Sequence, residues 1–259
     1  MPGTEDNMVK LVVCDIDGTL LGKDQIQLEG DAAKALGALI ESGKKVALAS
    51  GRSYFSMRKV VSSQPYADEL YYICDDGALC VYKGKVLYHK QISIENMLRF
   101  SRNSDYKNCP ILYFSDSFSY VSGSTPEFLD MLEREGVDRL DPVSGVYDVK
   151  APVYKIGVYG GDRRPKELMP APFDLRICYR SDNWLEYTSK FANKGLALSD
   201  LQMRLYLSKL DTAAFGDGDN DVEMFSKAKY TFARRGGSEK LCAVSSELFD
   251  DIADALERL

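Results

Sequence analysis

Short apolar runs alternate with longer amphipathic ones over the first eighty residues. Residues 10–14 (Lys-Leu-Val-Val-Cys) are β-branched and apolar almost throughout, the pattern of a strand buried on both faces. Over 29–42 the apolar positions Ala32, Ala33, Leu36, Leu39 and Ile40 recur at helical spacing, and Gly43 closes the segment as a C′ glycine. Residues 45–50 read as a second buried strand, 53–63 as a helix and 69–76 as a third strand. Strand, helix, strand, helix, strand predicts a parallel sheet with crossover helices, an α/β architecture.

The alternation then breaks. Residues 78–89 read as a hairpin around Lys83-Gly84. A helix follows, then strands at 111–115 and 119–123, a helix at 125–135 and a strand at 153–160. After an Arg- and Pro-rich segment come strands at 175–180 and 184–188. This block predicts a separate α+β module. The first rhythm resumes with a helix at 194–208, a strand at 212–216, a helix at 220–227, a strand at 229–233 and a closing helix at 246–258. The expected organisation is a core from 1–89 and 185–259, interrupted by an inserted module at 90–184.

Composition narrows the chemistry. The 259 residues are 45% hydrophobic, enough for a sizeable core, yet no apolar run approaches the roughly 18 residues of a membrane span. Residues 1–7 are polar and acidic, a frayed lead-in and not a signal peptide. The cysteines, at 14, 74, 80, 109, 178 and 242, form no C-x-x-C pair, which removes the zinc and thioredoxin templates and suits reduced thiols in the cytoplasm. A net charge of −6 argues against a nucleic-acid groove. His89 is the only histidine; no nucleophile motif accompanies it, and it reads as a surface strand residue. Nothing in the pattern specifies an oligomeric state.

Two acidic knots remain. Asp15 and Asp17 follow the first strand, and Asp217, Asp219 and Asp221 follow the strand at 212–216. Ligand sites in open parallel sheets lie outside the carboxyl ends of strands. Two acidic clusters there repel one another unless a cation sits between them. Mg²⁺ fits, since it takes a few carboxylates and leaves positions for water and phosphate oxygens. An isolated acidic turn would explain either knot alone. A calcium loop does not: counted from Asp15 it needs Gly at 20 and Glu at 26, where Leu20 and Ile26 stand, and counted from Asp217 it meets Val222 and Ala228. Two other strand ends carry complementary groups. Ser50 and Gly51 offer a hydroxyl and amides at a helix start, and Lys194 opens a helix with an ammonium. No Walker loop is present.

In order, Asp-Ile-Asp-Gly-Thr (15–19), Ala-Ser-Gly-Arg (49–52), Asn-Lys-Gly (193–195) and Gly-Asp-Gly-Asp-Asn-Asp (216–221) resemble the four motifs of the haloacid-dehalogenase superfamily. The long gap between the second and third motifs is similar to the Cof-like sugar-phosphatase branch, which carries a C2-type cap there. The resemblance implies a Rossmann-like core with helices on both faces and an α+β cap. It implies Asp15 as nucleophile and Asp17 as general acid and base. It implies Mg²⁺ held by Asp15, the Asp17 carbonyl and Asp217, supported by Asp221, and phosphoryl oxygens gripped by Ser50, Gly51, Lys194 and Asn220. The implied activity is hydrolysis of a small phosphorylated metabolite. A phosphomutase of the phosphomannomutase type and a catalytically silent binding module are the alternatives.

This sequence departs from the branch in three places. Asp76-Gly77-Ala78 replaces the usual Asn-Gly-Ala, Phe232–Gly237 lacks the usual Ala-Met-Gly-Asn-Ala, and no Pro precedes the third motif. Arg234 or Arg235 is expected to reach a second anionic group of the substrate, as is the pair Arg163-Arg164. Trp184 is expected as a packing anchor where the inserted module rejoins the core.

Overall fold

The computed structural model describes residues 9–22, 25–103, 108–134, 137, 139–161 and 174–259. Residues 1–7 and the pair Arg163-Arg164 lie outside the described residues. Strand β1 (Leu11–Asp15) pairs in parallel with β2 (Lys45–Ala49) on one side and with β12 (Thr212–Gly216) on the other. β3 (Tyr71–Cys74) follows β2 in parallel, and β13 (Tyr230–Arg234) and β14 (Glu247–Phe249) extend the far side. The hairpin of β4 (Leu79–Tyr82) and β5 (Lys85–His89) adds two antiparallel strands at the near edge. The sheet order is β14-β13-β12-β1-β2-β3-β4-β5.

Alternation along the strands divides the core in two. Val12, Cys14, Val46, Leu48 and Phe215 face α1 (Gly30–Glu41), α2 (Tyr54–Val60) and α8 (Ile252–Leu256). Leu11, Val13, Ala47, Ala49 and Ala214 face α5 (Lys194–Arg204), α6 (Val222–Phe225) and α7 (Glu239–Val244). The sheet is therefore covered on both faces, the condition under which continuous apolar strands are stable. Gly43, with φ of +90°, ends α1 as the sequence pattern implies.

A second sheet of six strands lies between β5 and α5 in the chain. It comprises β6 (Ile111–Phe114), β7 (Ser119–Ser122), β8 (Leu140–Pro142), β9 (Lys155–Tyr159), β10 (Leu175–Arg180) and β11 (Trp184–Ser189), in the order β10-β11-β9-β6-β7-β8. One face buries Tyr113, Ile156, Val158, Leu185 and Tyr187 against Met97 and Phe100 of α3 (Ile94–Ser101). The other packs Leu112, Phe114, Tyr159 and Trp184 on Phe128 and Leu132 of α4 (Pro126–Arg134). Beyond α4 that second face carries Lys155, Glu186 and Arg176, and the cations among them reach the first sheet.

The closing segment differs from its sequence pattern. Residues 246–258 do not form one helix. Glu247–Phe249 add β14 to the exposed edge of β13, and α8 begins only after Asp251, whose carboxylate accepts from the amides of Ala253 and Asp254. Strand β8, with Pro142 at its end, carries no alternating pattern and is an edge strand held by β7. Trp184 does not lie at a return to the core. It opens β11 inside the six-stranded sheet, with its ring 5.9 Å from that of Phe128.

Candidate active site

Four parallel strands end at one edge. β1 ends on Asp15, level with Ala49 of β2, and Ala49 is level with Ile73 of β3. Cys14 is level with Phe215 of β12. Asp15, Ser50, Asp75 and Asp217 therefore emerge side by side, at the point where the chain's connections run to opposite sides of β1.

The third and fourth sequence-predicted groups converge there. Lys194 is wholly buried at the start of α5, and its Nζ donates to Asp15 Oδ1 and Asp221 Oδ1, both at 2.6 Å. Asp221 Oδ2 accepts from the amides of Asp217 and Gly218, each at 3.1 Å. Thr19 Oγ1 donates to Asp217 Oδ1 at 3.2 Å. One carboxylate oxygen from each of Asp15, Asp217 and Asp221 lies within 4.8 Å of the others. Burial pushes the Asp15 carboxyl well above the ordinary carboxylate range; the Lys194 ammonium opposes this, and the Asp221 charge adds to it. Asp217 is raised by burial and by Asp221, against its hydrogen bond from Thr19. Burial disfavours the charge on Lys194, but Asp15, Asp221 and Asp76 outweigh it and raise its pKa.

Three carboxyl groups gather about one ammonium, so each proton they give up leaves the site further short of positive charge. Asp15 Oδ2 is buried and has no hydrogen-bond partner among the described residues. A hard divalent cation satisfies both conditions, so the donor set fits Mg²⁺.

Asp17 stands apart from that cluster. Its carboxylate accepts from Arg52 Nε at 3.1 and 2.9 Å and from Arg52 Nη2 at 2.7 Å, and from the Ser50 hydroxyl at 3.3 Å. Ser50 Oγ in turn accepts from the Arg52 amide at 3.1 Å. Of the Ala-Ser-Gly-Arg motif the sequence reading assigned only Ser50 and Gly51; its Arg is the residue that aims Asp17. Gly51 presents its carbonyl to Lys155 Nζ at 2.9 Å.

Glycine permits two close approaches. Gly18 has φ of +85°, and a Cβ there would lie 2.1 Å from Asp217 Oδ2, so this glycine lets the two acidic knots meet. Gly77 has φ of +87°, and its Cβ would lie 2.2 Å from the Asn193 carbonyl carbon. The turn at Asp75–Gly77, with φ of 49° and 57° at its two aspartates, is thereby pressed against the start of α5. Asp76 Oδ1 accepts from Asn220 Nδ2 at 3.0 Å, and Asp76 Oδ2 accepts from Arg176 Nη2 at 2.6 Å. Asp75 has no side-chain exposure, and Lys155 Nζ lies 3.7 Å away. Burial raises the Asp75 pKa to about 7, with Lys155 opposing.

Arg234, at the end of β13, and Arg235, just after it, were the residues expected to reach a second anionic group of the substrate, and in the structure both engage the protein itself. Arg235 pairs with Asp250 at the surface, and Arg234 Nη1 donates to the Gly18 carbonyl at 2.6 Å, bracing the first acidic turn. His89 is an exposed strand end, as its pattern indicates. Asp76, Lys155 and Arg176 escaped the sequence reading. The Asp at 76 was visible as a departure, but its partners arrive from 100 and 144 residues away.

Residues 12–255 match the model of the haloacid dehalogenase-like hydrolases. An HMP-PP phosphatase of Yersinia pseudotuberculosis is 28% identical over 228 residues, covering 85% of this chain and 81% of its own. Among solved structures, a protein from Thermotoga maritima aligns with a TM-score of 0.84 at 22% identity, covering 97% of this chain and 98% of the other. A haloacid dehalogenase-like hydrolase from Bacteroides thetaiotaomicron aligns with a TM-score of 0.82 at 20% identity, covering 96% and 99%. Those likenesses establish the Rossmann-like fold. No helix among the described residues is long and apolar enough to cross a membrane.

Proposed function

Because this chain belongs to the haloacid dehalogenase-like hydrolases, we propose that it is a Mg²⁺-dependent phosphatase of small phosphorylated metabolites, sugar phosphates foremost. The observation that carries the reading is Asp15: a buried carboxylate with one oxygen clamped by Lys194 and the other without a hydrogen-bond partner among the described residues, inside a three-carboxylate cluster.

Asp15, Asp217 and Asp221 would hold the metal, with the Asp17 carbonyl as a further ligand. A bound divalent ion supplies the positive charge that lets a phosphoryl dianion enter an acidic site. Asp15 attacks phosphorus; an Asp15 O–P bond forms as the bond to the leaving oxygen breaks. Asp17, outside the cluster and aimed by Arg52 and Ser50, takes up a proton from solvent as its pair with Arg52 loosens and gives that proton to the leaving oxygen. It then takes a proton from water, whose oxygen attacks phosphorus and frees Asp15. Lys194, the Ser50 hydroxyl, the Gly51 amide and Asn220 steady the phosphoryl oxygens, so catalysis is chiefly positioning and charge stabilisation.

We read the six-stranded sheet as the cap of this site, its module set at 90–184 by sequence and continued to Ser189 by β11. Its cations contact the turns that follow β2 and β3, which supports that reading. The HMP-PP phosphatase relative supports phosphatase chemistry. The test is a screen of phosphate release across phosphorylated metabolites, with Mg²⁺ and with chelator, using Asp15→Asn as the blank. Free phosphate is expected in place of an isomerised sugar phosphate. Turnover that survives chelation, or an active Asp15→Asn protein, refutes the assignment.

A further inference from the structure

Asp76 carries a charge its local geometry does not require. Its position is left-handed, which Asn tolerates as well as Asp. Its bond from Asn220 Nδ2 needs only an acceptor, which an amide oxygen supplies equally. Yet the residue is a carboxylate, 3% exposed at its side chain, in a turn pressed onto the start of α5. It therefore places a buried negative charge beside Asn220 and close enough to Lys194 to act on it, the two groups assigned to hold phosphoryl oxygens. Such a charge opposes an incoming dianion.

Its compensation comes from the other sheet. Arg176 Nη2 on β10 donates to Asp76 Oδ2 at 2.6 Å, and the same guanidinium donates to the Ala192 carbonyl at 3.0 Å. Lys155, another cation that this sheet brings to the first, is already committed. It pairs with Glu186 at 2.9 Å and donates to the Gly51 carbonyl. No other cation among the described residues pairs with Asp76 within 4.0 Å.

We propose that Arg176 is a positioning residue that sets the protein's affinity for phosphoryl groups through Asp76. Seated on Asp76, it cancels a buried charge that otherwise repels the dianion, and the phosphoryl site reaches full affinity only with the six-stranded sheet docked. A neutral amide at 76 would leave no repulsive charge for Arg176 to cancel; the carboxylate makes phosphoryl affinity conditional on that cancellation. This inference rests on the phosphatase reading of the same site.

The test is calorimetric titration of inorganic phosphate into the intact, Mg²⁺-loaded chain. Four proteins are compared: wild type, Asp76→Asn, Arg176→Met and the double variant. Asp76→Asn is expected to tighten phosphate binding, because it leaves Arg176 unopposed. Arg176→Met is expected to weaken it about tenfold or more, and the double variant to return within about threefold of wild type. In turnover, Arg176→Met raises KM by the same factor as the phosphate dissociation constant, which loss of packing alone would not reproduce. If Arg176→Met does not fold, Arg176→Lys and Arg176→Gln replace it: Lys retains wild-type affinity within about threefold and Gln does not. Equal phosphate affinity in wild type and Arg176→Met overturns the proposal, as does a double variant as weak as Arg176→Met. A wild-type protein that neither binds phosphate nor releases it from any metabolite overturns the phosphatase reading, and the inference with it.

Discussion

Replacing Lys194 by Met keeps most of the length of the side chain and removes the one ammonium that, among the described residues, pairs with the three-carboxylate cluster. In the native site that ammonium lies 2.6 Å from an oxygen of Asp15 and 2.6 Å from one of Asp221, wholly shielded from solvent. Two carboxylates whose oxygens are 4.8 Å apart or closer repel by about 3 kcal/mol or more at an effective dielectric constant near 20. Removing one partner of a buried pair costs about 3–5 kcal/mol for the same reason. For a chain of this size that corresponds to a fall in Tm of roughly 6–20 °C. The assay is thermal unfolding of both proteins in chelator and in millimolar Mg²⁺. The deficit should shrink with the metal, which replaces part of the lost positive charge, while kcat/KM falls about a thousandfold or more. A variant whose Tm in chelator lies within about 2 °C of wild type would show that the carboxylates do not carry the charge assigned to them.

Three further outcomes follow from the same geometry. Arg52→Met frees the Asp17 carboxylate from its three guanidinium bonds; kcat should fall about 10–100-fold with little change in KM, measured in steady-state kinetics. Gly77→Ala drives a methyl group to 2.2 Å from Asn193 and displaces Lys194; a loss of about 2–4 kcal/mol by urea unfolding is expected. Asp75 has a folded pKa of about 7, above its ordinary value, so the folded state binds the extra proton and stability falls as pH rises between about 4 and 7. Asp75→Asn should therefore flatten that part of the Tm profile and raise Tm at pH 8; an unchanged profile would show that Asp75 does not titrate there.

The local pattern of the chain was sufficient for everything that depends on neighbours in sequence. Apolar runs at 11–15, 45–49, 71–74 and 212–216 leave a strand no option but burial on both faces, and the helices that connect them return the chain for parallel pairing. Parallel order then places whatever follows each strand at one edge, which is why Asp15, Ser50 and Asp217 were legible as one site. Groups whose partners lie far along the chain were not legible. Arg52 was in plain view, but its hold on Asp17 depends on β1 and β2 lying in register. Asp76 meets Arg176 only because a second sheet docks beside the turn at 75–77, and it meets Asn220 only because β3 and β12 end at the same edge of the first sheet; neither leaves a period in the sequence. β14 forms where β13 offers an unpaired edge, a property of the assembled sheet and not of residues 247–249.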